Sequence, residues 1–384
     1  MKYSIIALAA LGICSFAQTL KPVAAANPSP AGGIQPNWAL AADGSVLLSW
    51  VEPSKDGSST LRYAVRKGPA WSEARTIASG RRFWRHPAEV PELLALPDGT
   101  LLAHWVENGK DSTEAEYIFV STSRDGTHWS EPAMAHKDRS PVQHGLASVA
   151  ASGPSEASIF WLQALKGEDG PVSLMRTVVG ADGKEIKEEQ LDADVCSCCP
   201  TSVVKTAKGL MVVYRSHNSK DIRDIAVLRF ENGKWSPSKI LYPDKWEINA
   251  CPVNAASAAA KDNRVAVAWY TEADDKPRVQ FAFSSDAGAT FAKPIALNTG
   301  DALGYASTVL NNDGGATVSW LEEGQNSARV MARVISPAGA PGPALKIAEG
   351  PRQSLGYPKL IHAGNDTWIA WGDAKTGVKT AVLN

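Results

Sequence analysis

The 384-residue sequence has no charge bias: 39 basic residues stand against 40 acidic ones, with no basic block. A surface that tracks phosphate needs clustered lysine and arginine, so nucleic acid is excluded as a partner. After the first seventeen residues no stretch approaches the ~20 apolar residues needed to cross a membrane, and no membrane span is expected. Cysteine is scarce, five in all, and no C-x-x-C-H run marks covalent haem. Helical periodicity is missing as well; apolar residues alternate instead, the mark of half-buried strands.

The N-terminus reads as an export signal. Lys2 precedes an apolar run from Ile5 to Ala17, and small residues at Ser15 and Ala17 suit cleavage before Gln18. Residues 1–17 are therefore expected to be a signal peptide, and the product to be periplasmic or secreted. A second cut, after Ala26, lies farther from the apolar run than such sites usually do. The bulky Ile13 before Cys14 counts against a lipid anchor.

Length alone suggests two or three domains, but an internal repeat overrides that prior. Seven segments share an apolar alternation closing on an aromatic: "SVLLSWVE", "TLLAHWVE", "ASIFWLQ", "LMVVYRS", "VAVAWYTE", "ATVSWLEE" and "TWIAWGD". Their aromatics, Trp50, Trp105, Trp161, Tyr214, Trp269, Trp320 and Trp371, are spaced 55, 56, 53, 55, 51 and 51 residues apart. Turn signals and further short strands flank each segment, giving four strands per unit. That is the pattern of a β-propeller, and residues 18–384 are read as one such domain. Seven copies of the first three strands occur but only six fourth strands follow a third. "LKPVAAA" (Leu20–Ala26) looks like the fourth strand "AKPIALN", so residues 18–26 are expected to close a seven-bladed, all-β ring, with six blades as the alternative.

"SSDAGATF" (Ser284–Phe291) fits S-x-D-x-G-x-[ST]-[WF] between a third and a fourth strand, and "SRDGTHW" (Ser123–Trp129) is a copy shortened by one. On these motifs the chain resembles the Asp-box (BNR-repeat) sialidase-like propellers over essentially its whole mature length. In the box Asp286 is expected to accept backbone N–H groups, Gly288 to supply permissive dihedrals, and Phe291 to pack into the blade, with Ser284 opening the turn. The resemblance implies that such boxes lie away from the active face and are structural.

Loops after second and fourth strands emerge on one face, where propeller sites usually lie. All four mature cysteines, Cys196, Cys198, Cys199 and Cys251, fall there. Three readings stay open: two disulfides, one of them strained; a thiolate site for copper or zinc, with His144 or His217 as added ligands; and a redox-active pair. "YRSHNSKDIRD" (Tyr214–Asp224) departs from the repeat, tyrosine replacing tryptophan and Arg215 replacing an apolar residue, and so marks a candidate site beside the cysteines.

The resemblance also implies what a sialidase site needs: an arginine cluster, a tyrosine nucleophile with a glutamate, and an acid/base aspartate. Candidate ligand-binding residues on the face are Arg85, His86, Arg139, His144, Arg215, His217, Arg223 and Arg352. Catalytic candidates are Tyr305 and Tyr357 in twin "LGY" loops, with Glu107 and Glu322, which like Glu52 and Asp373 follow their tryptophans by two residues. The plainer reading of these acids is solvated strand ends. The F/Y-R-I-P segment of those enzymes is missing, so a monomeric propeller that binds a small molecule, a glycan or a metal is expected ahead of a glycoside hydrolase of exo-α-sialidase type.

Overall fold

Seven antiparallel sheets make up the protein, whose computed structural model describes residues 21–109, 115–165 and 170–383. The expected signal segment, residues 1–17, and residues 18–20 of the expected closing strand lie outside the described residues. Six blades run from axis to rim in chain order. Blade four, for instance, is built from Ser202–Thr206, Gly209–Arg215, Ile225–Glu231 and Lys239–Ile240. Blade seven is assembled from both ends of the chain: Lys359–Ala363, Asp366–Asp373 and Gly377–Leu383 carry Pro22–Ala25 as the outer strand, with Pro22 opposite Leu383 and Ala25 opposite Thr380. The ring has seven blades, not six.

The repeating aromatic is the core of each blade. Trp50, Trp105, Trp161, Tyr214, Trp269 and Trp320 are fully buried, because both faces of a second strand pack against neighbouring sheets. Blade four gives Met211 and Val213 to the same cluster as Val265, Val267 and Trp269 of blade five. A buried indole still needs a partner for its N–H. Trp50, Trp105 and Trp320 donate to Glu52, Glu107 and Glu322, two residues on, at 2.8, 2.6 and 2.9 Å. These acids are thus indole acceptors rather than solvated strand ends; Glu322 is fully buried and also takes the Thr299 N–H at 2.9 Å. Asp373 instead caps the following turn through the N–H groups of Lys375 and Thr376.

Around the axis, a side chain on one inner strand accepts a backbone N–H from the next blade. Ser202 takes Ala258 N–H at 3.1 Å, Ser257 takes Thr308 N–H at 2.9 Å, and Ser307 takes Leu360 N–H at 2.9 Å. Glu92 does the same for Val149 at 3.2 Å. The Trp38 indole, donating to the Lys359 carbonyl at 3.0 Å, joins blade one to blade seven.

The Asp box is a closed turn. Asp286 accepts Thr290 N–H and hydroxyl at 2.9 and 2.6 Å, and Ser284 takes Gly288 N–H at 2.9 Å. Gly288 has φ +81°, and a Cβ there would stand 2.2 Å from the Met211 sulfur. Phe291 packs against the core shared by blades four and five.

Candidate functional site: a three-thiol cluster on the loop face

Three loops meet above blades four and five. The segment 193–201 descends into blade four, 216–224 joins its second and third strands, and 242–256 leads into blade five. Backbone bonds lock them together: Cys196 N–H to Arg215 O at 3.1 Å, Ser216 N–H to Asp224 O at 2.9 Å, and Arg223 N–H to Trp246 O at 2.9 Å. The buried Asp224 carboxylate holds the third loop by taking Lys245 and Trp246 N–H groups, both at 3.1 Å.

The sulfurs of Cys196, Cys198 and Cys199 all lie within 4.8 Å of one another. Cys196 Sγ is 3.8 Å from Cys198 Sγ and 3.7 Å from Cys199 Sγ. Thiolates about 2.3 Å from one shared ion would sit roughly 3.8–4.0 Å apart, so this spacing fits a metal. The four cysteines among the described residues are free, and no disulfide is formed there. Cys196 and Cys199 are buried, Cys198 is half-buried and Cys251 is exposed.

Donors surround the cluster. Arg223 Nη1 donates to Cys196 Sγ at 3.3 Å and Asn254 N–H to Cys199 Sγ at 3.4 Å. Arg215, only 2% exposed, donates to the carbonyls of Arg223, Asn254 and Tyr270 and lies over the Trp246 ring, with no carboxylate partner among the described residues. Hydrogen bonds from Cys198 and Cys199, helped by the Arg215 charge, hold the Cys196 thiol well below its usual range. The same bonds push Cys198 up, and burial pushes Cys199 up. The arrangement therefore favours the thiolate at Cys196 over one at Cys198 or Cys199.

Neither candidate histidine joins the thiols. His217 is clamped between Asp194 at 2.7 Å and Asp221 at 3.2 Å. Burial lowers its pKa, but those two carboxylates outweigh that and raise it. His144 points its Nδ1 at the Glu116 and Val142 carbonyls and stacks on His136 at 4.1 Å in blade three. Arg139 is exposed and donates to the His136 carbonyl beside this pair. Exposed Arg85 and half-buried His86, whose ring stacks on Trp84, belong to the loop entering blade two, and Arg352 pairs with Glu323 at 3.1 Å. Of the eight candidate ligand-binding residues, the structure brings Arg215 and Arg223 to the cysteines, with His217 at the rim.

Tyr305 and Tyr357 do meet, their rings stacked at 3.6 Å beside an axial cavity of about 210 Å³. Neither hydroxyl has a carboxylate partner among the described residues. Glu107 is engaged by Arg81 and Trp105, both at 2.6 Å.

Glu89 and Glu116, two buried carboxyls that converge on Gly145, lie outside every motif in the sequence. A Cβ there would stand 3.0 Å from Glu116 and 3.7 Å from Glu89. Burial raises both to about 8.

The profile described as a BNR repeat-like domain matches residues 44–369. An ulvan lyase superposes with a TM-score of 0.62 at 10% identity, covering 94% of this chain and 96% of that one. The BP39L lectin from Burkholderia pseudomallei gives 0.57 at 13% identity, covering 94% and 98%. A NanB sialidase variant from Streptococcus pneumoniae gives 0.50 at 11% identity, covering 88% and 83%. At such identities the likeness speaks for the fold alone. No curated protein matches the chain.

Proposed function

The chain belongs to the BNR repeat-like family, and from that premise we propose that it is a binding propeller, periplasmic or secreted, that takes up a thiophilic metal ion through Cys196, Cys198 and Cys199. The observation that carries this reading is the convergence of three sulfurs at bonding-compatible separations, two of them buried. Soft thiolates select copper(I) or zinc, and structural zinc is almost always four-coordinate. With three donors and both nearby histidines committed elsewhere, copper(I) is the better match. Arg223 and Asn254, donating to Cys196 and Cys199, would stabilise the thiolate form and orient the sulfurs. A bound ion would also shield neighbouring thiols from oxidation in an exported setting.

Hydrolysis of sialosides is the weaker reading. Arg85, Arg139 and Arg352 have separate partners and settings, while Glu107 and Glu322 serve tryptophan indoles. The test is anaerobic titration of reduced protein with copper(I) against a colorimetric chelator, and with zinc(II). We expect about one equivalent of copper(I), lost in Cys196→Ser and Cys199→Ser. Protein that binds neither ion while its thiols react freely would overturn the proposal.

A further inference from the structure

Cys251 is the one mature cysteine outside the triad. Its thiol is exposed, and its sulfur lies 3.8 Å from the Ser197 hydroxyl, Ser197 being the residue between Cys196 and Cys198. The loop that carries it is fastened to the cluster three residues later, where Asn254 N–H donates to Cys199 Sγ at 3.4 Å. The Asn254 side chain anchors that attachment from the other side, taking Tyr305 N–H at 2.8 Å and donating to the Leu303 carbonyl at 3.2 Å. Cys251 is thus held at the lip of a buried three-sulfur site without belonging to it.

The three cluster sulfurs are not equivalent. Cys196 and Cys199 are each 1% exposed, and each receives a hydrogen bond from a fixed donor, Arg223 or the Asn254 backbone. Cys198 is half-buried, and its sulfur has no donor besides its fellow thiols among the described residues. Two sulfurs are built to stay and one to let go.

We infer that Cys251 is the exchange ligand through which a thiophilic ion such as copper(I) enters and leaves the triad, replacing Cys198. The step rests on the metal-binding reading above and involves no change of oxidation state. The Cys251 thiol gives its proton to solvent and its sulfur bonds to the ion. The bond from the ion to Cys198 then breaks, and the Cys198 thiolate takes a proton back. The ion, now bound partly by an exposed sulfur, is presented to a soft-ligand acceptor arriving from solvent. Thiolate exchange at a three-coordinate ion proceeds through an incoming fourth sulfur, so a waiting thiol accelerates it without adding to equilibrium affinity.

The experiment loads reduced wild-type protein, Cys251→Ser and Cys251→Ala with one equivalent of copper(I) and mixes each with excess bathocuproine disulfonate in a stopped-flow instrument. The same chelator measures the equilibrium affinity. For both variants we expect affinity within about tenfold of wild type and transfer slowed at least ~fivefold. Slowing below fivefold overturns the inference, and so does an affinity loss above tenfold, which would make Cys251 a permanent fourth ligand. If wild type binds no copper(I), the metal-binding reading falls and this one with it. Copper-loaded variants that transfer at the wild-type rate overturn only the exchange role.

Discussion

The guanidinium of Arg223 donates to the sulfur of Cys196 across 3.3 Å, and its Nε is braced by the Ile248 carbonyl at 2.9 Å. A fixed cation beside a buried sulfur favours the thiolate, and nearby Arg215 acts in the same direction. The setting therefore favours a negative charge on Cys196 before any ion arrives, and that has a measurable consequence.

If Cys196 is ionised while Cys198 and Cys199 keep their protons near neutrality, as the directions of their shifts favour, binding an ion releases two protons. The apparent dissociation constant should then fall about a hundredfold per pH unit between roughly pH 6 and 8. Metal titrations at several pH values, or proton release measured in two buffers by calorimetry, give the slope. Three protons released would show that Cys196 is not a thiolate.

Glu89 and Glu116 have carboxyl groups raised to about 8 by burial, against 4.5 for the free side chain. A group whose folded pKa is raised contributes stability that is present below its unfolded pKa and is lost as pH rises through the folded one. The melting temperature should decline between about pH 5 and 8 for this reason, by the equivalent of a few kcal/mol. The double variant Glu89→Gln, Glu116→Gln should flatten that decline. An equal slope in the variant would mean the carboxyls ionise normally.

The outer strand of blade seven supplies a third test. A chain begun at residue 27 loses Pro22–Ala25 and bares the edge of Gly377–Leu383. Its melting temperature should fall by at least ~3 °C relative to a chain begun at residue 18, with more aggregation. Calorimetry decides this; unchanged melting would mean the strand adds nothing to closure.

A fluorogenic sialoside should not be turned over appreciably by the purified protein. Release of fluorophore that disappears in Tyr305→Phe or Tyr357→Phe would reverse the ranking and make the stacked tyrosines catalytic.

The fold was legible because it repeats. Seven aromatics near a period of 53 and one complete Asp box leave few architectures, and the alternation around each tryptophan fixes which strand is buried. The meeting of the cysteine segment with Arg215 and Arg223 was legible too, since loops entering adjacent blades share a face. What sequence could not convey was the partner of each polar atom. Glu322 looks like a strand-end acid until its indole and Thr299 partners are seen, and His217 looks like a ligand until Asp194 and Asp221 occupy both nitrogens. The split of four cysteines into three and one depends on side-chain direction, which spacing does not encode. A buried carboxyl pair brought together across strands, such as Glu89 and Glu116, has no local signature.

Blade seven borrows its rim strand from residues 22–25 and its other three strands from the last residues of the chain. During synthesis, then, the earliest of these segments must wait for the latest: six blades can stack in order, but the circle stays open until residue 383 is free to pair. Until blade seven is in place, blade one has no neighbour on its open side and the indole of Trp38 has no Lys359 carbonyl to meet. Closure therefore joins two segments more than 350 residues apart, Pro22–Ala25 and Gly377–Leu383, and must wait until the second has been made.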